Sequence, residues 1–150
     1  HFFDMVGYST PDDVVYLADC LSSRETLDKY QIGFIYDVGA YLETLEMVKS
    51  LSAAMFVPAH AEAATDIAGL AQYNIDKVCE IANQIVEFCE EPLCFETILK
   101  KMFDEYSLVM NFEQYVLVGS TVRSYLAWLK DTGRLDAKFE DNMLLWERIS

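Results

Sequence analysis

His1-Phe-Phe-Asp-Met-Val-Gly-Tyr-Ser-Thr-Pro-Asp-Asp-Val-Val-Tyr-Leu-Ala-Asp19 is the stretch on which the reading of the fold turns. Phe2 to Ser9 and Asp13 to Leu17 are rich in aromatic and β-branched residues, and Thr10-Pro11-Asp12 separates them, with proline where a turn needs it. This is a hairpin with Asp12-Asp13 at its tip. A histidine opens its first strand and an aspartate closes its second. Working outward, Tyr36 to Leu51 places Val38, Tyr41, Leu42, Leu45, Val48 and Leu51 at helical spacing, which predicts a helix with one buried face. Ala53 to Val57 is a short continuous apolar run, expected of a strand buried on both faces, and Pro58-Ala59-His60 ends it. Strand, helix, strand is an α/β arrangement, and sites in such sheets lie at one edge, where loops converge.

His1, Asp19 and His60 all fall where a strand begins or ends. Two imidazoles and a carboxylate are the donor set of a catalytic zinc or iron site. Taken singly, each has a plainer explanation: a strand-end histidine is most often a hydrogen-bonded structural residue, and Asp19 could cap the loop or helix near Arg24. Cys20 beside it reads as a small core thiol rather than a further ligand. The chain holds only two histidines. A two-metal hydrolytic centre needs more ligands, so the others are expected upstream of residue 1.

The order and context of these residues resemble the metallo-β-lactamase fold family. In that family a strand opens just after a metal-binding histidine, turns through a hairpin and returns to end at a metal-bridging aspartate, as His1 to Asp19 does over 19 − 1 = 18 positions. A later strand ends in a Pro-Gly-His turn; here Val57-Pro58-Ala59-His60 is similar, with Ala59 in place of the glycine. The resemblance implies that His1 completes one metal site, Asp19 bridges two metals and His60 completes the second. It implies zinc, two ions in the intact protein, with iron or manganese able to use the same donors. The family's HxHxDH motif is absent from all 150 residues. The expectation is therefore a C-terminal portion of a hydrolase of ester, thioester, amide or phosphoester bonds. It would be inactive alone, completed by the N-terminal half of the same fold, and would act on a small-molecule substrate.

From Ala63 the pattern becomes helical. Ile67, Leu70, Ile75, Val78, Ile81, Ala82, Ile85, Val86 and Phe88 make one stripe that Glu90-Glu91-Pro92 ends. Phe95 to Tyr106 predicts a helix with Phe95, Ile98, Leu99, Met102 and Phe103 inward. Phe112 to Asp131 predicts another with Tyr115, Val116, Val118, Val122, Leu126 and Leu129 inward, closed at Gly133 by a left-handed cap. Arg134 to Phe139 and Asn142 to Ile149 then read as a two-stranded ribbon around Glu140-Asp141. Three helices and a ribbon follow the winged-helix plan, and Val122 to Leu135 resembles the last-helix ending of the helical tail carried by several metallo-β-lactamase-like hydrolases. The expected division is thus 1–62, the C-terminal half of a metallo-β-lactamase-like α/β domain, and 63–150, an α-helical, winged-helix-like region.

Composition bounds these expectations. At 53% hydrophobic and 13% aromatic the chain has ample core-forming side chains. Net charge is −14 and evenly spread: residues 1–62 carry ten acids and three bases, residues 63–150 fifteen acids and eight bases, so each part is −7. Phosphate neutralisation dominates non-specific nucleic-acid affinity, so no nucleic-acid partner is expected, and Trp128, Tyr125 and Tyr115 read as core rather than a stacking platform. No apolar run approaches the ~18 residues that cross a bilayer, so no membrane partner is expected either. Four scattered cysteines without a CxxC pair fit a reducing, cytoplasmic setting. A second function class fits the same chain: an acidic helical module for dimerisation or protein docking, with a vestigial metal site.

Overall fold

The computed structural model describes residues 7–149. In chain order its elements are β1 (Tyr8–Ser9), β2 (Val14–Tyr16), α1 (Arg24–Tyr30), α2 (Val38–Ser50), β3 (Met55–Val57), α3 (Ala68–Phe88), β4 (Leu93–Cys94), α4 (Phe95–Glu105), α5 (Phe112–Asp131), β5 (Leu135–Glu140) and β6 (Met143–Arg148). They gather into two compact units, residues 7–31 with 39–78, and 32–38 with 79–149. The expected division after residue 62 differs from this packing in two respects. Ala63 to Val78 belongs with the first unit, and Ile32–Val38, most of the α1–α2 connection with the first residue of α2, belongs with the second.

In the first unit the hairpin forms as its turn chemistry dictates. Pro11, with its fixed φ, and Asp12 start the turn, and Asp13 takes a left-handed φ of 59°, which aspartate tolerates better than most residues. The Val14 carbonyl accepts from Thr10 N–H at 2.9 Å, and the Thr10 hydroxyl accepts from Val14 N–H at 3.2 Å. Ser9 then pairs with Val15 and Tyr8 with Tyr16, antiparallel. Asp13 also ties the hairpin to the next strand, its carboxylate accepting from Ala54 N–H at 2.8 Å. β3 runs parallel to β2, Val14 opposite Met55 and Tyr16 opposite Val57, so the sheet order is β1-β2-β3.

Val15, Leu17 and Phe56 point to one face and join Leu21, Leu45, Val48, Ile67, Ala71 and Ile75 in a single core. Burying one such side chain stabilises by roughly 1.5–3 kcal/mol. The expectation of a strand buried on both faces fails for β3: Phe56 is buried, but its neighbours Met55 and Val57 are only half-buried. Alternate residues of a strand face opposite ways, and the helices here cover one face.

The second unit contains β4, α4, α5 and the ribbon, with sheet order β4-β6-β5, all antiparallel. α4 buries Phe95, Ile98, Leu99, Met102 and Phe103, the five residues its spacing predicts. α5 is capped by Asn111, whose side chain accepts from Gln114 N–H at 2.8 Å, and buries Val118, Val122, Leu126 and Leu129 as expected. Tyr115 and Val116 correct the expectation, for both are exposed in the first turns of α5, ahead of the part that packs. α5 also buries Thr121, whose hydroxyl donates to the Gly33 carbonyl at 3.1 Å and accepts from Ile35 N–H at 3.1 Å. That hydroxyl holds the α1–α2 connection against α5. The ribbon turns at Asp141-Asn142, φ 49° and 61°, one residue later than Glu140-Asp141, because a two-residue hairpin of this hand needs two left-handed positions.

Candidate functional site

β2 and β3 leave the sheet side by side. The pairing continues past their ends, with Leu17 N–H bonded to the Val57 carbonyl at 3.0 Å and Ala59 N–H to the Ala18 carbonyl at 2.9 Å. Ala18 adopts a left-handed φ of 44°, which turns the chain out of β2 just before Asp19. Ser22 then forms an isolated parallel bridge with His60, and Ser23 N–H donates to the His60 carbonyl at 2.9 Å. Two loops from neighbouring parallel strands therefore deliver Asp19 and His60 to one spot, with His60 Nε2 3.4 Å from Asp19 Oδ1. Both side chains are partly open to solvent, 58% for His60 and 40% for Asp19.

Of the three residues singled out in the sequence, these two are brought together. His1 and residues Phe2 to Val6 of the expected first strand lie outside the described residues. Asp19 does not cap α1; Ser23 does, its hydroxyl oxygen accepting from Thr26 N–H at 3.2 Å. Cys20 packs against the core, and burial, with the Asp19 charge adding to it, pushes its thiol up to about 11 despite a backbone hydrogen bond that opposes the shift. A thiol neutral at pH 7 is a poor metal ligand, since the thiolate is the binding form. Among the described residues no group of three or more histidine, cysteine, aspartate or glutamate side chains stands together as a metal site.

Sequence reasoning passed over Asn74 of α3. It is 1% exposed and every hydrogen-bonding position of its carboxamide is used. The oxygen accepts from Ser22 N–H at 3.0 Å and from the Tyr41 hydroxyl at 3.4 Å. The nitrogen donates to the Ser22 carbonyl at 3.0 Å and to the Leu70 carbonyl at 2.9 Å. A signal was present: Asn74 sits at helical spacing between Ile67, Leu70 and Val78, a polar residue inside an apolar stripe.

No protein-family profile and no curated protein sequence matches the chain. Solved structures do. A beta-lactamase domain protein from Burkholderia ambifaria superposes with a TM-score of 0.74 over 95% of this chain, at 14% identity. A metallo-beta-lactamase family protein from Thermus thermophilus does so with a TM-score of 0.69 over 95% of this chain, at 11% identity. The chain has part of a metallo-β-lactamase fold. It spans 44% of each of those two proteins, less than half their length. The metallo-β-lactamase resemblance read from the sequence agrees with these neighbours at the level of fold. Among the described residues no helix is long and apolar enough to cross a membrane.

Proposed function

We propose that this chain is the C-terminal, metal-ligating portion of a hydrolase of the metallo-β-lactamase superfamily. The observation that carries the reading is the convergence of Asp19 and His60 at the ends of two parallel strands of that fold. Their spacing supports a shared ion. Two donors about 2.0–2.1 Å from a tetrahedral zinc stand about 3.3 Å apart, whereas a direct N–H···O hydrogen bond is about 2.7–3.2 Å long. The pair is 3.4 Å apart. Zinc suits the mixed nitrogen and oxygen donors, and iron or manganese would use the same atoms.

In this reading His60 and Asp19 would hold two divalent ions together with His1 and donors from the N-terminal half of the fold. Such ions supply a water acidified from about 15.7 toward ~7, a nucleophile for an ester, thioester, amide or phosphoester. The chain's own part is orientation. Asp19 is aimed by the left-handed turn at Ala18, and the His60 backbone is pinned through its carbonyl by Ser23. Neutral imidazole is the ligating form of a histidine.

The helix, strand, helix, helix, ribbon order of residues 68–148, with β4 joining the ribbon as its third strand, supports a winged-helix-like tail. Its surface favours a protein partner such as a second copy over nucleic acid, for Val109, Met110, Phe112, Tyr115 and Val116 are all exposed around the start of α5 in an acidic chain. The same acidity argues against a nucleic-acid partner, and the four scattered cysteines support a cytoplasmic enzyme, which the superfamily reading has acting on small molecules without a membrane partner.

The test uses the full-length protein from the complete reading frame. Metal content should approach two ions per molecule, and Asp19→Asn and His60→Ala should each lower ester or phosphoester kcat/KM by more than about 100-fold, beyond the loss typical of an outer-shell change. Wild-type turnover in both variants, or a protein purified under metal-replete conditions without bound metal, would sink the proposal.

A further inference from the structure

We infer that Asn74 is a positioning residue for the Asp19–His60 pair, an assignment that rests on the metal-site reading above. Ser22 lies between two partners. On one side it bridges to His60, through the Ser23 N–H bonded to the His60 carbonyl at 2.9 Å. On the other, both its own N–H and its own carbonyl are taken by the Asn74 carboxamide, each at 3.0 Å. One side chain thus satisfies a residue's backbone in both directions, as a neighbouring strand would, at the point where the sheet has run out.

The side chain that does this is itself immobilised. Asn74 is 1% exposed, its nitrogen is held by Leu70 one helical turn back, and its oxygen also takes the Tyr41 hydroxyl from α2. The loop carrying Asp19 is therefore referenced to α3, and His60 is referenced to the same loop through Ser22 and Ser23. Asp19 is three residues from Ser22, so a slip of that residue changes the approach of Asp19 to His60. A buried amide with all its partners serves a unique geometry; losing it strands the Ser22 N–H and carbonyl.

The experiment compares Asn74→Ala, Asn74→Ser and the core control Val48→Ala in the full-length protein. Val48 is fully buried in the same core and touches none of these groups' hydrogen bonds. Two readouts are taken at a temperature where circular dichroism shows each protein folded. The first is Co2+ affinity with the visible spectrum that reports its coordination geometry. The second is amide hydrogen exchange at Ser22 and Ser23 in metal-free protein. The Asn74 variants should weaken Co2+ binding about 10–100-fold and alter the spectrum, as outer-shell changes do. Exchange at Ser22 and Ser23 should accelerate at least tenfold, while Val48→Ala should lower the melting temperature with affinity, spectrum and local exchange kept. Unchanged exchange at Ser22 in Asn74→Ser, or equal loss of affinity in Val48→Ala, would overturn the assignment. If the wild type binds no Co2+, the metal-site reading falls and this inference falls with it, whereas wild-type binding with unmoved variants removes the role of Asn74 alone.

Discussion

At the scale of single residues, the thiols show how local surroundings divide one chemical group into different behaviours. Cys94 precedes α4, and its thiol is held below the usual range by the Thr97 hydroxyl, 3.3 Å from its sulfur, and by the Thr97 backbone N–H. Burial does the opposite to Cys89, which has no exposed surface and is pushed up to about 12, and to Cys20. Alkylation follows the thiolate fraction and access. Iodoacetamide at pH 7.5, followed by peptide mass spectrometry, should therefore label Cys94 well before Cys20 or Cys89, and simultaneous labelling would contradict the packing around them. Legibility at this scale was uneven. Asp19 and His60, which the fold brings within 3.4 Å of each other, could be singled out because strand ends leave a trace in sequence: an apolar run stops and a polar residue follows. Asn74 could not be assigned a task, because its place in an apolar stripe marks it as facing the core but does not name a partner 52 residues away. The partners of Thr121, 86 and 88 residues distant, are equally invisible to periodicity.

At the scale of elements, helices with a complete buried face were the most legible. α4 buries every residue its spacing selects because it is short and packs along its whole length. α5 departs from its pattern at Tyr115 and Val116, since helical spacing records a face but not how far packing extends along it. The cap at its other end follows from composition. Gly133 N–H donates to the Lys130 carbonyl at 3.0 Å and Arg134 N–H to the Leu129 carbonyl at 2.8 Å, a Schellman ending that puts Gly133 at φ 71°. A Cβ there would meet nothing within 4 Å, so the cost of Gly133→Ala is conformational only. Loss of about 1 kcal/mol is expected, read as a lower denaturant midpoint at constant m-value, with Gly133→Asn losing less. Equal stability of wild type and Gly133→Ala would mean that the ending relaxes. In the ribbon Asp136 stands opposite Glu147, a repulsive pair, and Lys138 offsets it with an ion pair to Glu147 at 2.8 Å.

At the scale of the whole molecule, 25 acids against 11 bases make charge repulsion the larger electrostatic effect. Surface ion pairs such as Lys49–Glu46 and Arg148–Glu90 contribute about 0–1 kcal/mol each and are weakened by salt, and the acids exceed the bases that could pair with them. Raising NaCl from about 0.05 to 0.5 M shortens the screening length to a few ångström and should raise the melting temperature by several degrees. A falling melting temperature would mean that the attractive pairs dominate. The placement of residues 32–38 has a consequence for how such a chain can be inherited. Thr121 and Ser124 secure Gly33, Ile35 and Tyr36 to α5, so the second unit owns a strip of sequence lying inside the first. A recombination event with one breakpoint cannot transplant the tail as a self-sufficient cassette: it would leave behind the lining of α5. Exchange between relatives must carry both segments across together, which makes the two units of this chain a single heritable module.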